Sequence, residues 1–234
     1  MRTLLILIVV LGIAAVVGDR VAVVMAQNEI AREIAAQYKL PHQPRVEIRG
    51  FPFLTQAIDG TYDDVRIDVG DWSEQNITVH DLDVTLNDVT ARLDDLLNKR
   101  TTNLVAGTAT ATAVVPYDVV QKYAPEGIES ISDSPEGLRA TGTFSVQGLQ
   151  VPATVIVTVA PTDNGIEVTP VSVQPASGGI SIPLALLSPT LTFTVPLQQL
   201  PLGAKLTAVT PKPDGLHVTA VAHTVRFSDL PATT

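Results

Sequence analysis

Cysteine is absent from the 234-residue sequence. The chain therefore forms no disulfide bond, carries no lipid attached through an N-terminal cysteine and has no Cys/His metal set. If the chain is exported, a cysteine-free sequence fits a bacterial envelope better than a eukaryotic secretory route, in which small domains are often dense in disulfides.

Aromatic residues are scarce as well, at 4% of the sequence, although hydrophobic residues make up 45%. The predicted interior is therefore built from Val, Leu, Ile and Ala, which fill space but offer little directional chemistry. Two of the five phenylalanines nevertheless lie on either side of Pro52, at Phe51 and Phe53. They are predicted either to pin a short helix against the core or to line the entrance for an apolar ligand.

Basic residues are too sparse for a protein that binds nucleic acid. Lys and Arg number 15 against 24 Asp and Glu, which gives a formal net charge of −9. The sole adjacent basic pair in the sequence is Lys99-Arg100. Phosphate-rich polymers bind dense Lys/Arg surfaces. Nucleic acid is therefore excluded as a partner, and anionic lipid would be met through a local patch or an apolar surface.

A long apolar segment opens the chain, because Arg2 is followed by uncharged residues at positions 3–17. This pattern is typical of an export signal or a membrane anchor, although a spanning helix usually needs about 20 apolar residues. Val16 and Gly18 are small enough for a cleavage site before Asp19. We therefore assign residues 1–18 to a signal peptide or signal anchor, leave cleavage open, and assign residues 19–234 to a single domain.

A long amphipathic helix is predicted from Arg20 onward. Its apolar side chains recur at spacings of three and four residues and so line one face. These side chains are Val23, Ala26, Ile30 and Ile34. Two prolines within residues 41–44 end the helix.

Strand patterns occupy most of the remaining chain. Period-two alternation begins at residues 65–69, and its parity changes at His80-Asp81, which predicts a β-bulge or a sharp bend there. From Leu138 onward nearly every segment is strand or turn, and prolines lie mostly at strand ends. The sequence therefore predicts an α+β fold, with the long helix packed in a curled, mostly antiparallel β-sheet.

Short helices interrupt the predicted sheet. The first follows Pro52, has Leu54 and Ile58 on its inner face and ends at Gly60. Two others are predicted over residues 90–100 and from residue 116 onward.

A strand between these two helices has an inner face of methyl groups only. Ala109, Ala111 and Ala113 alternate there with threonines. A face of such small side chains leaves room for a bulky group to pack against it, either the N-terminal helix or a ligand.

Catalytic and metal-binding patterns are lacking. The four histidines are His42, His80, His217 and His223. The last two share strand parity, but six residues of extended chain separate them by about 20 Å, too far for one metal. No calcium loop, P-loop, dinucleotide fingerprint or nucleophile elbow is present. We predict no catalytic residue, no metal and no cofactor.

Four segments carry a family resemblance: the apolar leader, "DRVA" at residues 19–22, "RGFPFLTQAIDGTYDDVRI" at residues 49–67 and "LPLGAKLTAVTPKPDGLHVTA" at residues 200–220. Together they resemble the LmeA-like family of actinobacterial envelope proteins. The resemblance implies a tubular lipid-binding fold similar to half of a BPI-like (TULIP-like) module, with an apolar cavity for acyl chains. It also implies binding of phospholipids, phosphoinositides among them, and for some relatives a role in lengthening the mannan of lipomannan.

We therefore predict a non-enzymatic phospholipid-binding protein of the cell envelope. It would be exported to the periplasm and either soluble after cleavage or held by its N-terminal anchor, with phospholipid, a membrane and envelope biosynthesis proteins as partners. The predicted lipid-binding residues are Phe51, Phe53, Leu54, Ile58, Ala109, Ala111, Ala113, Ile30 and Ile34. The predicted head-group contacts are Lys99, Arg100, Arg45 and Arg49. The alternatives are a scaffold domain with a closed dry core and an enzyme with an unrecognised site.

Overall fold

The computed structural model describes residues 2–74, 77–92, 94, 103–122, 124–146, 149–162, 165–175, 192–196, 200–226 and 228. These residues form helices α1 (Arg2–Gln37), α2 (Phe53–Asp59) and α3 (Tyr117–Lys122). They also form strands β1 (Arg45–Ile48), β2 (Thr61–Glu74), β3 (Ile77–Thr90), β4 (Val105–Val115), β5 (Ile128–Ser134), β6 (Gly137–Val146), β7 (Leu149–Thr162), β8 (Gly165–Pro175), β9 (Phe193–Pro196), β10 (Lys205–Lys212) and β11 (Gly215–Arg226). The helix predicted over residues 90–100 falls mostly outside the described residues.

The strands form two antiparallel sheets. The first has six strands in the order β1-β2-β3-β4-β11-β10, and the second has five in the order β5-β6-β7-β8-β9. Every pair of neighbours in the second sheet is also consecutive in the sequence, so this sheet is a simple meander. The two sheets and the long N-terminal helix confirm the predicted α+β class.

Strand β3 contains left-handed residues where its alternation changes. Asp81 has φ of +51° and Asp88 has φ of +53° within the strand. A left-handed residue in a strand changes which side chains point to each face. The left-handed Asp81 lies at the position where the bulge or bend is predicted, and the bend itself stays a prediction.

Prolines lie inside β7 and β8 as well as at strand ends. Pro152 and Pro161 belong to the ladder of β7, and Pro170 lies in the middle of β8 opposite Val157. The register shifts beside that pair, between Ile156 and Val157. Proline has no N–H to donate, so a register shift is a place where a strand tolerates it. Pro161 is the penultimate residue of β7 and so lies at a strand end, as predicted, whereas Pro152 and Pro170 are exceptions to that tendency.

The chain divides into two compact units. The first comprises Met1–Gly70, Asp83–Thr110 and Ala222–Thr234, and the second comprises Asp71–Leu82 and Ala111–Val221. The assignment of everything after the leader to one domain stays a prediction.

The second unit has an aliphatic core. Its described buried cluster consists of Leu138, Phe144, Ala153, Val155, Val157, Val168 and Leu216. Helix α3 packs beside β5, begins directly after Pro116 as predicted and buries Val119. The Tyr117 hydroxyl donates a hydrogen bond of 2.7 Å to the Lys212 carbonyl oxygen.

The first unit contains α1, whose two halves differ. Residues 2–18 are exposed along their whole length, and by length and composition α1 is able to cross a membrane. The second half packs against β1 and α2. Val23 and Ala31 are buried there, and Ile30 and Ile34 are half-buried. The predicted apolar face of the helix is confirmed.

Candidate functional site

Helix α2 has a buried face and an exposed apolar face. Phe53 and Ala57 are each 7% exposed, whereas Leu54 is 44% and Ile58 is 77% exposed. The prediction that Leu54 and Ile58 form the inner face is therefore wrong. Both pairs have the i, i+4 spacing of one helical face, and the larger Phe53 side chain occupies the interior.

The ends of α2 follow from its sequence. Pro52 lies at the N-cap with extended backbone, and the Phe51-Pro52 peptide bond is cis. Gly60 ends the helix in the left-handed conformation, with φ of +70°, and its N–H donates to the Gln56 carbonyl oxygen. Glycine adopts this conformation without the steric cost that a Cβ brings. The predicted termination at Gly60 is confirmed.

The two phenylalanines beside Pro52 meet different surroundings. The Phe53 ring packs in the first unit against Tyr62, with the ring centroids 6.2 Å apart and the planes tilted by 35°. Burial raises the pKa of the Tyr62 phenol. Phe51 is 62% exposed, and the Arg20 guanidinium lies 5.1 Å from its ring centroid, within the range of a cation–π contact.

Asp19 joins α1 to α2. Its side chain is buried, and its Oδ1 accepts a hydrogen bond of 2.8 Å from the backbone N–H of Leu54. The same carboxylate receives the Arg20 guanidinium, whose Nε lies 3.1 Å from Oδ2. The first N–H groups of a helix have no partner within the helix. Because the side chain of Pro52 has no polar group, Asp19 supplies the N-terminal cap of α2.

Sequence reasoning did not identify Asp19 and Arg20 as site residues. The partner N–H of Asp19 lies 35 residues further along the chain. The available signal was local: an acid and a base directly follow an uncharged segment.

The residues predicted to contact the lipid head group differ in their surroundings. Arg45 is exposed at the start of β1, opposite Asp68 in the ladder. The Arg49 guanidinium lies 3.5 Å from Glu47 and 3.8 Å from Asp64, so acidic groups already surround it. Lys99 and Arg100 lie outside the described residues. A head-group role for these four residues stays a prediction.

The alanine row of β4 is half-buried. Ala109, Ala111 and Ala113 all have this intermediate exposure, as do the neighbouring Thr108 and Thr110, whereas Thr112 is exposed. The row is therefore neither sealed in a core nor fully open to water. Its role in binding lipid stays a prediction.

The histidines of the described strands have local polar partners. His80 lies 2.7 Å from Asp71, and His217 lies 2.9 Å from Asp214. The hydrogen bond from His217 holds the pKa of the Asp214 carboxyl below its ordinary value of 3.8. Across the described part of the chain, no group of three or more His, Cys, Asp or Glu residues is arranged to hold a metal ion.

Comparisons with known proteins add one finding. The model of the LmeA-like phospholipid-binding family matches residues 17–221. The match is most of the chain and includes α2, the second half of α1 and both sheets as far as Val221 of β11. No curated protein and no solved structure matches the sequence. The chain belongs to the LmeA-like phospholipid-binding family.

Proposed function

We propose that the protein binds phospholipids, phosphoinositides among them, in the periplasm of the cell envelope and catalyses no reaction. Within the envelope it would supply or hold lipid for lipoglycan assembly. The observation that carries the proposal is the half-buried alanine row of β4 in a member of a phospholipid-binding family. Small side chains on a strand leave room for a ligand that larger aliphatic residues would fill.

Acyl chains would supply most of the binding free energy. Each CH₂ group removed from water contributes about 0.8 kcal/mol. Ten methylene groups therefore contribute about 8 kcal/mol before the entropy of ordering the chain is subtracted. No directional contact is needed for this term, which agrees with the aliphatic composition of the sequence.

Lipid uptake tests the role of the alanine row. Full-length protein incubated with phosphatidylcholine vesicles would be analysed by native mass spectrometry and by extraction of bound lipid. Ala111→Phe is expected to reduce bound phospholipid severalfold because the added ring occupies the space of an acyl chain. Thr112→Phe, one residue along the same strand, is the matched control and should retain uptake.

Two results would contradict this proposal. One is wild-type protein that is reproducibly empty and takes up no phospholipid. The other is equal uptake by wild type and the Ala111 variant when both unfold at the same temperature.

The head group is proposed to contact the basic pair Lys99-Arg100, with Arg45 and Arg49 as further contacts. Reversing both charges with Lys99→Glu and Arg100→Glu should lower uptake of phosphoinositide more than uptake of phosphatidylcholine. Arg139→Glu combined with Arg226→Glu, at exposed positions on β6 and β11, makes the same change in net charge and is the control. Equal loss for both lipids would remove the pair from head-group recognition.

A scaffold role is the second candidate, and the fully buried side chains in the core of the second unit favour it. Ala153 is 0% and Val155 is 1% exposed, and the surrounding cluster is aliphatic except for Phe144. A scaffold needs no ligand. Protein purified from its envelope would then yield assembly partners but no bound phospholipid on extraction.

A further inference from the structure

We propose that the exposed face of α2 rests on a lipid surface, and that residues 2–18 stay in the chain as the anchor in that same membrane. The contact surface consists of Phe51, Leu54 and Ile58, together with Val21, Val24 and Met25 on the outer side of α1. This inference does not depend on whether the protein carries lipid.

The first argument is the continuity of α1. The helix runs without a break from Arg2 to Gln37, and Asp19 already belongs to the packed part of the first unit. Cleavage before Asp19 would cut this helix. It would also place a new ammonium group on the residue whose carboxylate receives the Leu54 N–H. Retention of residues 2–18 leaves the joint between α1 and α2 intact.

The second argument is the length of the apolar surface on α1. Exposed apolar side chains begin at Leu4 and continue past the leader to Val21, Val24 and Met25, which are 54%, 51% and 68% exposed. The 22 residues from Leu4 to Met25 span about 33 Å at a rise of about 1.5 Å per residue. The hydrocarbon core of a bilayer is about 30 Å thick. Leu4 to Arg20 accounts for about 25 Å of this length. Val21, Val24 and Met25 therefore continue the apolar surface through the boundary between acyl chains and head groups, and the Arg20 guanidinium reaches the head groups along its stem.

The third argument is the position of α2 along α1. The Asp19 hydrogen bond fixes Leu54 beside the end of the uncharged segment. At that level the opposite side of α1 still exposes Val21 and Val24. An anchor that places these valines in lipid also brings the outer side of α2 to the bilayer surface.

The exposed side chains of α2 suit that position. Phe51 and Ile58 are 62% and 77% exposed, and Leu54 lies between them in sequence. Arg20 places its guanidinium over the Phe51 ring, and arginine commonly holds its charge at the head-group level while its stem lies on apolar surface. A short helix with an apolar face toward the acyl chains and polar residues beside it is the pattern of an interfacial segment.

The absence of cysteine gives a direct test, because any introduced cysteine is the single labelling site. Full-length Leu54→Cys and Ile58→Cys variants would carry a bimane probe and be reconstituted into phosphatidylcholine vesicles. Asp59→Cys is the matched control, since Asp59 is exposed on the same helix one residue after Ile58. All three positions are exposed, so the variants should fold as the wild type does.

Phosphatidylcholine with a nitroxide near the head group should quench the probes at positions 54 and 58 more strongly than the probe at position 59. We expect at least about a twofold difference, because an interfacial helix buries its apolar face by about 5–10 Å. Iodide in the aqueous phase should show the reverse order. Equal quenching at the three positions, or quenching of all three by iodide alone, would overturn the docking of α2.

Retention of the anchor is tested by the intact mass of chain recovered from the membranes of an exporting bacterial host. A mass that includes residues 2–18 is expected, and a chain beginning at Asp19 would overturn the anchor. Lipid-borne quenching in a protein that takes up no phospholipid would separate this inference from the proposed function.

Discussion

Phe51 and Phe53 are separated by one proline, yet they contribute to different properties of the protein. Phe53 is 7% exposed and packs against Tyr62, whereas Phe51 is 62% exposed beneath the Arg20 guanidinium. A buried ring stabilises the fold by the apolar area it removes from water. An exposed ring contributes little to stability and is available to a ligand or a membrane.

Alanine substitutions should separate these two roles. Phe53→Ala is expected to lower the free energy of unfolding by about 3 kcal/mol, the cost of removing a buried aromatic side chain. Phe51→Ala removes a cation–π contact and should cost about 0.5–1 kcal/mol. Denaturant unfolding of the two full-length variants measures both values. A cost for Phe51→Ala as large as that for Phe53→Ala would contradict the assignment of Phe51 to the surface.

The pair Asp214-His217, in the turn and strand that follow β10, should stabilise the protein near neutral pH and lose that effect in strong acid. The folded-state pKa of Asp214 lies below 3.8, so its stabilising contribution is fully present above pH 3.8 and is lost as the pH falls through the lower folded value. Wild type should therefore melt above Asp214→Asn at pH 6, and the difference should vanish in strong acid. Thermal melts across this pH range measure it. Asp63→Asn is the surface control, and a difference that grows toward low pH would contradict the assignment.

Among the elements, α2 depends most on a neighbour. A helix of seven residues has little stability of its own, and the residue before it is a proline, which has no polar side chain to cap the N-terminus. The cap comes from Asp19 on α1, so the position of α2 follows from an interaction between two elements.

Substitution of Asp19 tests this dependence. Asp19→Ala removes the side-chain acceptor for the Leu54 N–H, and loss of a helix N-terminal cap is destabilising by about 0.5–2 kcal/mol. Asp19→Asn keeps one acceptor oxygen, so its melting temperature should lie between those of the alanine variant and wild type. Hydrogen exchange of the α2 amides should be slowest in wild type, faster in the asparagine variant and fastest in the alanine variant. Glu29→Ala, which removes an exposed ion pair with Arg32 on the same helix, is the control and should change neither measurement.

The elements also show how far the sequence predicts the fold. The apolar face of α1 and the strands after Leu138 follow from periodicity, because one face of each repeats over many residues. The sequence did not predict which face of α2 is buried. Phe53/Ala57 and Leu54/Ile58 have the same spacing, and a helix of seven residues contains no further repeat that would distinguish them. The cap from Asp19 was not predictable either, because no local pattern reports a hydrogen bond between residues 35 positions apart.

For the whole molecule, net charge decides how lipid is approached. The formal charge is −9, so the protein as a whole is repelled by an anionic bilayer. Acyl-chain burial is insensitive to ionic strength to a first approximation, whereas repulsion between like charges is screened within a Debye length of about 8 Å at physiological salt.

Salt should therefore affect phospholipid uptake in one direction only. Raising sodium chloride from about 0.01 M to about 1 M shortens the Debye length from about 30 Å to about 3 Å. Uptake of lipid from phosphatidylcholine vesicles should stay constant, because no net vesicle charge opposes the protein. Uptake from phosphatidylglycerol vesicles should rise toward the same level as repulsion is screened. Native mass spectrometry measures the bound lipid in both salt series. A fall in phosphatidylglycerol uptake with rising salt would contradict the prediction. It would mean that a local basic patch, with Lys99-Arg100 as the first candidate, outweighs the net charge of the whole chain.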